Sequence, residues 1–192
     1  MLAPACHRIE VAGSIRRRAI EVGDIDLVCE PKTRPLLDLF GEPTGETIDE
    51  LHSLLSRMAE DGVVRKRLDK NGRASWGKRL KRAIYRGTSV DVQSVTDSDA
   101  WGFWLLVRTG PSTLNKALVT PRHQGGLLPA GFEIRDGFKL FRAGGRVPTP
   151  TEEDVFRELG LPYLEPCDRD GAEVRLRAAV GLSGRASAEA PA

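Results

Sequence analysis

The 192-residue sequence carries 29 basic and 27 acidic side chains, a formal net charge of +2, and is 40% hydrophobic. This length allows one well-packed core, or one domain with a small satellite. No segment resembles a signal peptide, and the longest apolar run, near residues 101–107, is too short to cross a bilayer, so we expect neither a secreted nor a membrane protein. The cysteines have unrelated spacings, which predicts free thiols in a reducing cytoplasm rather than disulfides or a zinc site. They are Cys6, Cys29 and Cys167.

Residues 11–28 are predicted to form a strand, a Gly-Ser turn that opens a short helix, and a second strand with two aspartates. Alternate side chains of a strand point the same way, so Asp24 and Asp26 share one face, roughly 7 Å apart, while Ile25 and Leu27 face the core. Carboxylates this close repel each other unless a positive charge lies between them. A Mg²⁺ ion bound by both carboxylates and by substrate phosphates would supply that charge, although a lone Asp-x-Asp is more often a solvated strand end.

Glycines flank this motif on both sides. Gly13, followed by Ser14, would let the backbone approach a phosphate at the N-terminus of the next helix. Gly23, directly before the first aspartate, leaves room for a second close approach. Three arginines at 16–18 add positive charge, of which a helix can aim only some at the site. The composite pattern predicts a nucleotidyl-transfer site.

Gly13-Ser14-Ile15-Arg16-Arg17 followed by Gly23-Asp24-Ile25-Asp26 resembles the palm signature of the family X DNA polymerases, the group of DNA polymerase β. More broadly, it resembles the nucleotidyltransferase superfamily, whose pattern also includes a third carboxylate on a later strand. The resemblance implies an α+β fold. Its parts would be a nucleotidyltransferase palm, with a mixed sheet packed on helices, and a small C-terminal α/β thumb subdomain.

Prolines and glycines between residues 31 and 45 predict a loop. A helix should follow, because Thr47 and Glu50 have the spacing of a capping box and apolar residues then recur at helical spacing as far as Met58. Gly62 ends this helix. We interpret it as a packing element only.

Residues 63–95 are predicted to form three or four antiparallel strands, with a hairpin turn at Asn71-Gly72. Asp91 lies between Val90 and Val92 in the last strand, the setting that the third carboxylate requires. An aspartate in an alternating strand can also simply face water. With the first two motifs in place, and in the chain order of the polymerase palm, we interpret Asp91 as the third metal ligand.

The same region is strongly basic. Such a run is often only a solvated face, but here it lies on strands beside a predicted phosphate-transfer centre, which favours binding of a nucleic-acid backbone. The residues predicted to bind it are Arg65, Arg67, Lys78, Arg79, Lys81 and Arg82.

A helix is predicted over residues 98–110, and Ser112 is a candidate N-cap of the next one. Thr109-Gly110 followed by Asn115-Lys116 resembles the junction of palm and thumb in family X, where the Asn-Lys helix lies along the nascent base pair. Family members commonly place an aromatic pair just before Thr-Gly, where this chain has Val107-Arg108. That departure leaves discrimination against ribonucleotides open.

The remainder is similar to the thumb, with short strands, a helix at 151–159 and a closing segment at 160–166. We therefore expect a palm over residues 1–107, a thumb-like subdomain over 108–170 and a disordered tail over 171–192. Family X repair polymerases normally carry a lyase domain and helix-hairpin-helix modules before the palm, for which this chain has no room. We expect no lyase activity, and an affinity for DNA that falls steeply with salt.

The resemblance implies in-line attack of a primer 3′-hydroxyl on the α-phosphorus of a nucleoside triphosphate, with release of pyrophosphate. Asp24 and Asp26 would bridge two Mg²⁺ ions, which Mn²⁺ could replace. Asp91 would complete the ion that binds the attacking oxygen and would accept its proton. The implied nucleotide-binding residues are Gly13, Ser14, Arg17, Gly23, Gly110, Asn115 and Lys116.

The sequence thus predicts a minimal DNA-directed DNA polymerase that acts on primed or gapped DNA in repair or gap filling. We expect a monomeric, nucleoid-associated protein of a bacterial or phage-like cytoplasm. Two alternatives stay open. One is an untemplated or small-molecule nucleotidyltransferase, which the thumb-like segment disfavours, and the other is a non-catalytic nucleic-acid-binding relative, which the three intact carboxylates disfavour.

Overall fold

The computed structural model describes residues 1–182, which divide into two compact units. The first unit comprises Met1–Ile15 and Ile20–Ser98, and the second comprises Arg16–Ala19 and the chain from Asp99 onward. Across the described part of the chain, no helix has the length and apolar character needed to cross a membrane.

The first unit is built on a five-stranded mixed sheet. Its strands are β1 (Cys6–Val11), β2 (Asp24–Pro31), β5 (Arg65–Lys66), β6 (Leu80–Tyr85) and β7 (Thr88–Ser94). They lie in the order β1-β2-β7-β6-β5, in which β2 and β7 are parallel and the other pairs antiparallel. The short helix α1 (Gly13–Arg16) follows β1, as the sequence predicts. This sheet with its packed helix confirms the α+β prediction.

Helix α2 (Glu50–Glu60) covers one face of this sheet. Its buried Leu51, Leu55 and Met58 pack with Cys29 and Val92 of the sheet in one apolar cluster. The helix begins later than predicted. Its N-cap is Asp49, whose carboxylate accepts a hydrogen bond of 2.7 Å from the backbone N–H of His52, so the predicted capping box at Thr47 and Glu50 is wrong.

The prediction of a loop over 31–45 is wrong as well. This stretch forms the antiparallel hairpin of β3 (Thr33–Leu37) and β4 (Pro43–Asp49). Pro35 and Pro43 are tolerated because a two-stranded hairpin leaves half of its backbone N–H groups without a ladder partner. The prolines and glycines of this stretch are therefore compatible with a hairpin.

Part of the predicted strand content of residues 63–95 is also missing. Residues 68–76 contribute only isolated bridges, between Leu68 and Ala74 and between Trp76 and Lys81. The predicted turn at Asn71-Gly72 is present, because the Asp69 carboxylate accepts hydrogen bonds from the backbone N–H groups of Asn71 and Arg73.

Four helices and a three-stranded antiparallel sheet form the second unit. The helices are α3 (Trp101–Thr109), α4 (Ser112–Val119), α5 (Glu152–Glu158) and α6 (Ala172–Ala179), and the strands are β8 (Phe132–Arg135), β9 (Lys139–Arg142) and β10 (Gly145–Val147). Their core includes Phe103, Leu106, Leu114, Leu118 and Phe156, all fully buried. The predicted helix over 151–159 is present as α5, which Thr151 caps in a capping box with Asp154.

The division of the chain differs from the predicted one. The palm was expected to extend to residue 107, but the chain from Asp99 onward belongs to the second unit, and Phe103 and Leu106 of α3 lie in that unit's core. The tail expected to be disordered from residue 171 begins with α6, whose Leu176 is buried in the core of this unit. Residues 183–192 of that predicted tail lie outside the described residues.

Candidate active site

The three predicted carboxylates lie on one face of the first unit's sheet. Asp26 on β2 is the register partner of Asp91 on β7, and Asp24 is paired with Ser89 two residues earlier. Register partners on adjacent strands lie about 4.8 Å apart with their side chains on the same face. Ile25 and Leu27 line the opposite, apolar side, as the alternation predicts. The structure therefore places the three acidic residues on the same face of adjacent strands.

Gly13 packs against Asp26, one of these three acidic residues. Its φ is +61°, and a Cβ built on it would lie 2.3 Å from Oδ2 of Asp26, so only glycine fits without displacing the carboxylate. The backbone N–H of Ala12 also donates a 2.8 Å hydrogen bond to the carbonyl of Asp26. The sequence predicts a close approach at Gly13 by a phosphate, whereas the structure shows a close approach by a carboxylate.

Ser14 and Gly23 have different surroundings. The hydroxyl oxygen of Ser14 is buried and has no hydrogen-bond partner within residues 1–182. Buried polar atoms are normally paired, so this oxygen is suited to a group that the protein alone does not supply. Gly23 is exposed, and no atom lies within 4 Å of the position its Cβ would take.

Two arginines hold Asp91, a feature absent from the sequence prediction. Nη2 of Arg67 lies 2.6 Å from Oδ1 of Asp91, and Nε of Arg82 lies 3.1 Å from Oδ2. The Asp91 side chain is 6% exposed, whereas those of Arg67 and Arg82 are 25% and 41% exposed. Both carboxylate oxygens therefore have a guanidinium partner, and the arginines keep contact with solvent.

No group of three or more histidine, cysteine, aspartate or glutamate side chains within residues 1–182 is arranged closely enough to hold a metal ion. The donor chemistry nevertheless suits a hard divalent cation, since aspartate oxygens are its usual protein ligands. Asp24 and Asp26 lie on the same face of β2 and would supply such oxygens. Asp91 fits it once Arg67 and Arg82 give up its oxygens.

The predicted nucleic-acid-binding residues fall into three classes. Arg65, Lys78 and Arg79 are exposed. Arg67 and Arg82 pair with Asp91 as described. Lys81 is fully buried and cannot reach a nucleic-acid backbone, so its inclusion in the set is wrong. Burial lowers the pKa of Lys81, because desolvation disfavours the ammonium form.

In the second unit, Arg17 is held by two oxygens. Its Nη1 donates a hydrogen bond to the carbonyl of Thr109, and its Nε lies 3.2 Å from Oδ1 of Asp170. Gly110 has a φ of +77°, and a Cβ on it would lie 3.1 Å from Nη1 of Arg17. The predicted residues Arg17 and Gly110 are thus neighbours. Asp170 is 59% exposed, so its carboxylate pairs only weakly with Arg17, and another anion could take its place.

Helix α4 carries the predicted Asn115 and Lys116. The Nδ2 group of Asn115 donates a 2.7 Å hydrogen bond to the carbonyl of Val107, while its buried Oδ1 has no hydrogen-bond partner in the described chain. Lys116 is exposed. The structure therefore gives Asn115 a fixed orientation and leaves one acceptor for a ligand.

Sequence reasoning missed a buried ion network around Glu152, the first residue of α5. Arg16 makes two hydrogen bonds to its carboxylate, of 2.8 and 2.6 Å, and the fully buried Arg169 makes a third of 2.7 Å. Burial alone would raise the pKa of Glu152, but its bonds to Arg16 and Arg169 outweigh it and leave the pKa below its usual value. No sequence pattern predicts the contact between Arg16 and Glu152, which lie 136 positions apart.

Comparison with known proteins gives two findings. A family model for the DNA polymerase beta thumb matches residues 105–170. The chain is also 34% identical over 173 residues to DNA polymerase lambda of Rattus norvegicus. This match covers 82% of the chain but 28% of that protein, so the chain spans little more than a quarter of the length of this relative.

Proposed function

Because this chain is similar to the family X DNA polymerases over most of its length, we propose that it is a nucleotidyltransferase that extends the 3′-end of a primer. The observation that carries this proposal is the pairing of Asp26 with Asp91, with Asp24 on the same face of the sheet. Three acidic residues from two adjacent strands would form the donor set for the metal ions of phosphoryl transfer. We assign the protein to DNA repair or gap filling.

Asp24, Asp26 and Asp91 would hold two Mg²⁺ ions, for which Mn²⁺ could substitute. When bound, the ions would supply positive charge to the reacting phosphate and make the primer hydroxyl more acidic. The chain's own contribution is to orient the carboxylates and to move a proton. Asp91 would accept the proton of the hydroxyl on one of its carboxylate oxygens, after Arg67 and Arg82 have moved to nucleic-acid phosphates.

The triphosphate would be bound by the hydroxyl of Ser14, the guanidinium of Arg17 and the backbone at Gly13 and Gly23. The buried, unpaired Ser14 oxygen supports its role, and the exchangeable Asp170 contact supports that of Arg17. Asn115 and Lys116 would contact the nascent base pair. Lys116 is exposed and therefore accessible to it. Gly110 would act by leaving space for Arg17.

Replacing Arg17 by alanine is expected to weaken the binding of nucleoside triphosphates by about ten- to a hundredfold, because a hydrogen bond to a charged group contributes about 1.5–3 kcal/mol. Calorimetric titration of the folded variant with a triphosphate and Mg²⁺ measures this loss. Arg18→Ala, at an exposed neighbouring position, is the matched control and should leave the affinity unchanged. An unchanged affinity in the Arg17 variant would contradict the assignment.

The proposed function is tested with a labelled primer on gapped, nicked and template-free substrates. Each deoxyribonucleotide and ribonucleotide is offered with Mg²⁺ or Mn²⁺. We expect extension on gapped DNA by the nucleotide that matches the template. Extension that ignores the template would instead indicate an untemplated nucleotidyltransferase.

A second candidate function is nucleic-acid binding without catalysis. The two arginines on Asp91 favour it, because the carboxylate is not available to a cation while both guanidinium groups hold it. The same primers distinguish the candidates. Metal-dependent turnover of triphosphate would exclude the second one, whereas salt-dependent binding without turnover would support it.

A further inference from the structure

Strand β1 is an edge of the first unit's five-stranded sheet, and within residues 1–182 no strand pairs with its outer side. An edge strand presents unpaired backbone N–H and C=O groups, which can pair with a strand of another molecule. β1 is six residues long, and four of them are exposed, namely His7, Arg8, Glu10 and Val11. The opposite edge is β5, which has only two residues, both basic. Of these two edges, β1 is therefore the one long enough to accept a further strand.

The register of β1 shows which of its backbone groups point out of the sheet. The N–H of Ala12 donates a hydrogen bond to the carbonyl of Asp26, and bonded positions recur at every second residue of an antiparallel pair. The N–H and C=O of Glu10 therefore point towards β2, whereas those of Ile9 and Val11 point outward. No other group in residues 1–182 makes a hydrogen bond to them on that side. A partner strand could thus bond to β1 at Ile9.

The charges of this edge are complementary to those of a second copy of the same edge. Arg8 and Glu10 lie on one face of β1, because they are two residues apart. If two β1 strands pair antiparallel about a two-fold axis at Ile9, Arg8 of each copy lies opposite Glu10 of the other. Opposite charges at facing positions stabilise a sheet, and like charges destabilise it. Charges on an edge strand normally prevent pairing, but the order of these two favours pairing of the strand with itself.

We propose that the chain forms a reversible homodimer in which the β1 strands of two copies pair antiparallel. The N–H and C=O of Ile9 would bond to the same groups of Ile9 in the other copy, at the centre of one continuous sheet. The register shift between Cys6 and Arg8 ends the regular part of the strand, so the shared ladder would be short. Such a ladder buries little surface, and the dimer should dissociate on dilution. The monomer expected from the sequence is then one partner in this equilibrium.

Sedimentation velocity of the full chain over a range of protein concentrations tests this proposal. Glu10→Arg gives both facing pairs like charges, so the dissociation constant of the dimer should rise about tenfold or more. Within the chain, the register partner of Glu10 on β2 is Val28, so the change introduces no repulsion between these two strands. Glu60→Arg makes the same change of charge at an exposed position of α2, and this matched control should dimerise like the unchanged chain.

A mixture of two variants distinguishes loss of pairing from loss of the fold. Arg8→Glu makes the edge acidic and Glu10→Arg makes it basic, so neither variant should pair with itself as tightly as the unchanged chain does. Mixed in equal amounts, they should form heterodimers, because every facing pair then carries opposite charges. The double variant R8E/E10R should dimerise like the unchanged chain for the same reason. A monomeric unchanged chain, undiminished dimerisation of the Glu10 variant, or a mixture without heterodimers would overturn the inference.

Discussion

Replacing Asp91 by asparagine is expected to reduce primer extension on the order of 10²–10⁴-fold, the range that a positioned proton acceptor contributes. The amide cannot accept the hydroxyl proton, and it is a poorer ligand for Mg²⁺ than a carboxylate. The fold should survive, because Arg67 and Arg82 keep contact with solvent when their anionic partner is removed. Primer extension on gapped DNA, with a thermal melt of the same sample, measures both effects.

Asp61→Asn is the control for this experiment. Asp61 is an exposed aspartate at the end of α2, so its change removes the same charge from the same unit away from the sheet's acidic face. It should leave extension unaltered. Near-normal extension by the Asp91 variant would reject the proposed role of Asp91.

Replacing Glu152 by alanine should lower the free energy of unfolding of the second unit by about 3–5 kcal/mol, the effect of removing one partner from a buried ion pair. Arg169 is fully buried, and its charge would lose the carboxylate that compensates it. Urea denaturation followed by fluorescence measures the loss. Glu153→Ala changes the exposed neighbour and is expected to alter stability by less than about 0.5 kcal/mol.

The same network predicts the acid response of the second unit. The pKa of Glu152 is lower in the folded chain than in the unfolded one, so the carboxylate stabilises the fold fully above its unfolded pKa of about 4.5. This contribution is lost as the pH falls through the lower, folded pKa. The unchanged chain should therefore lose more stability below about pH 4 than the Glu152 variant. Equal losses in both would show that Arg16 and Arg169 do not stabilise the charged carboxylate.

The acidic face was predictable because it depends on local periodicity. Asp24, Asp26 and Asp91 lie in strands whose apolar neighbours alternate with them, and a period of two fixes the face of a strand without knowledge of the rest of the fold. The register that makes Asp26 and Asp91 partners was not predictable, since it joins positions 65 residues apart through the packing of the sheet.

The same period of two also predicts that Lys81 is buried. It alternates with Ala83, which is also buried, so the period of β6 places both on the covered face of the sheet. Lys81 was instead assigned to nucleic-acid binding because the surrounding sequence is so basic. The arginine pair on Asp91 and the network of Glu152 escaped prediction for a different reason, because their partners are distant in the sequence.

The contact of Gly13 with Asp26 has a consequence for how sequences of this kind can drift. A single methyl group at position 13 would require the space that Oδ2 of Asp26 occupies, so even alanine conflicts with the acid. A position that has no side chain is therefore constrained by the carboxylate beside it. A relative could lose the arrangement of the acidic face through a change at this glycine while every acidic residue remains, and the identity of the acids alone would not reveal the loss.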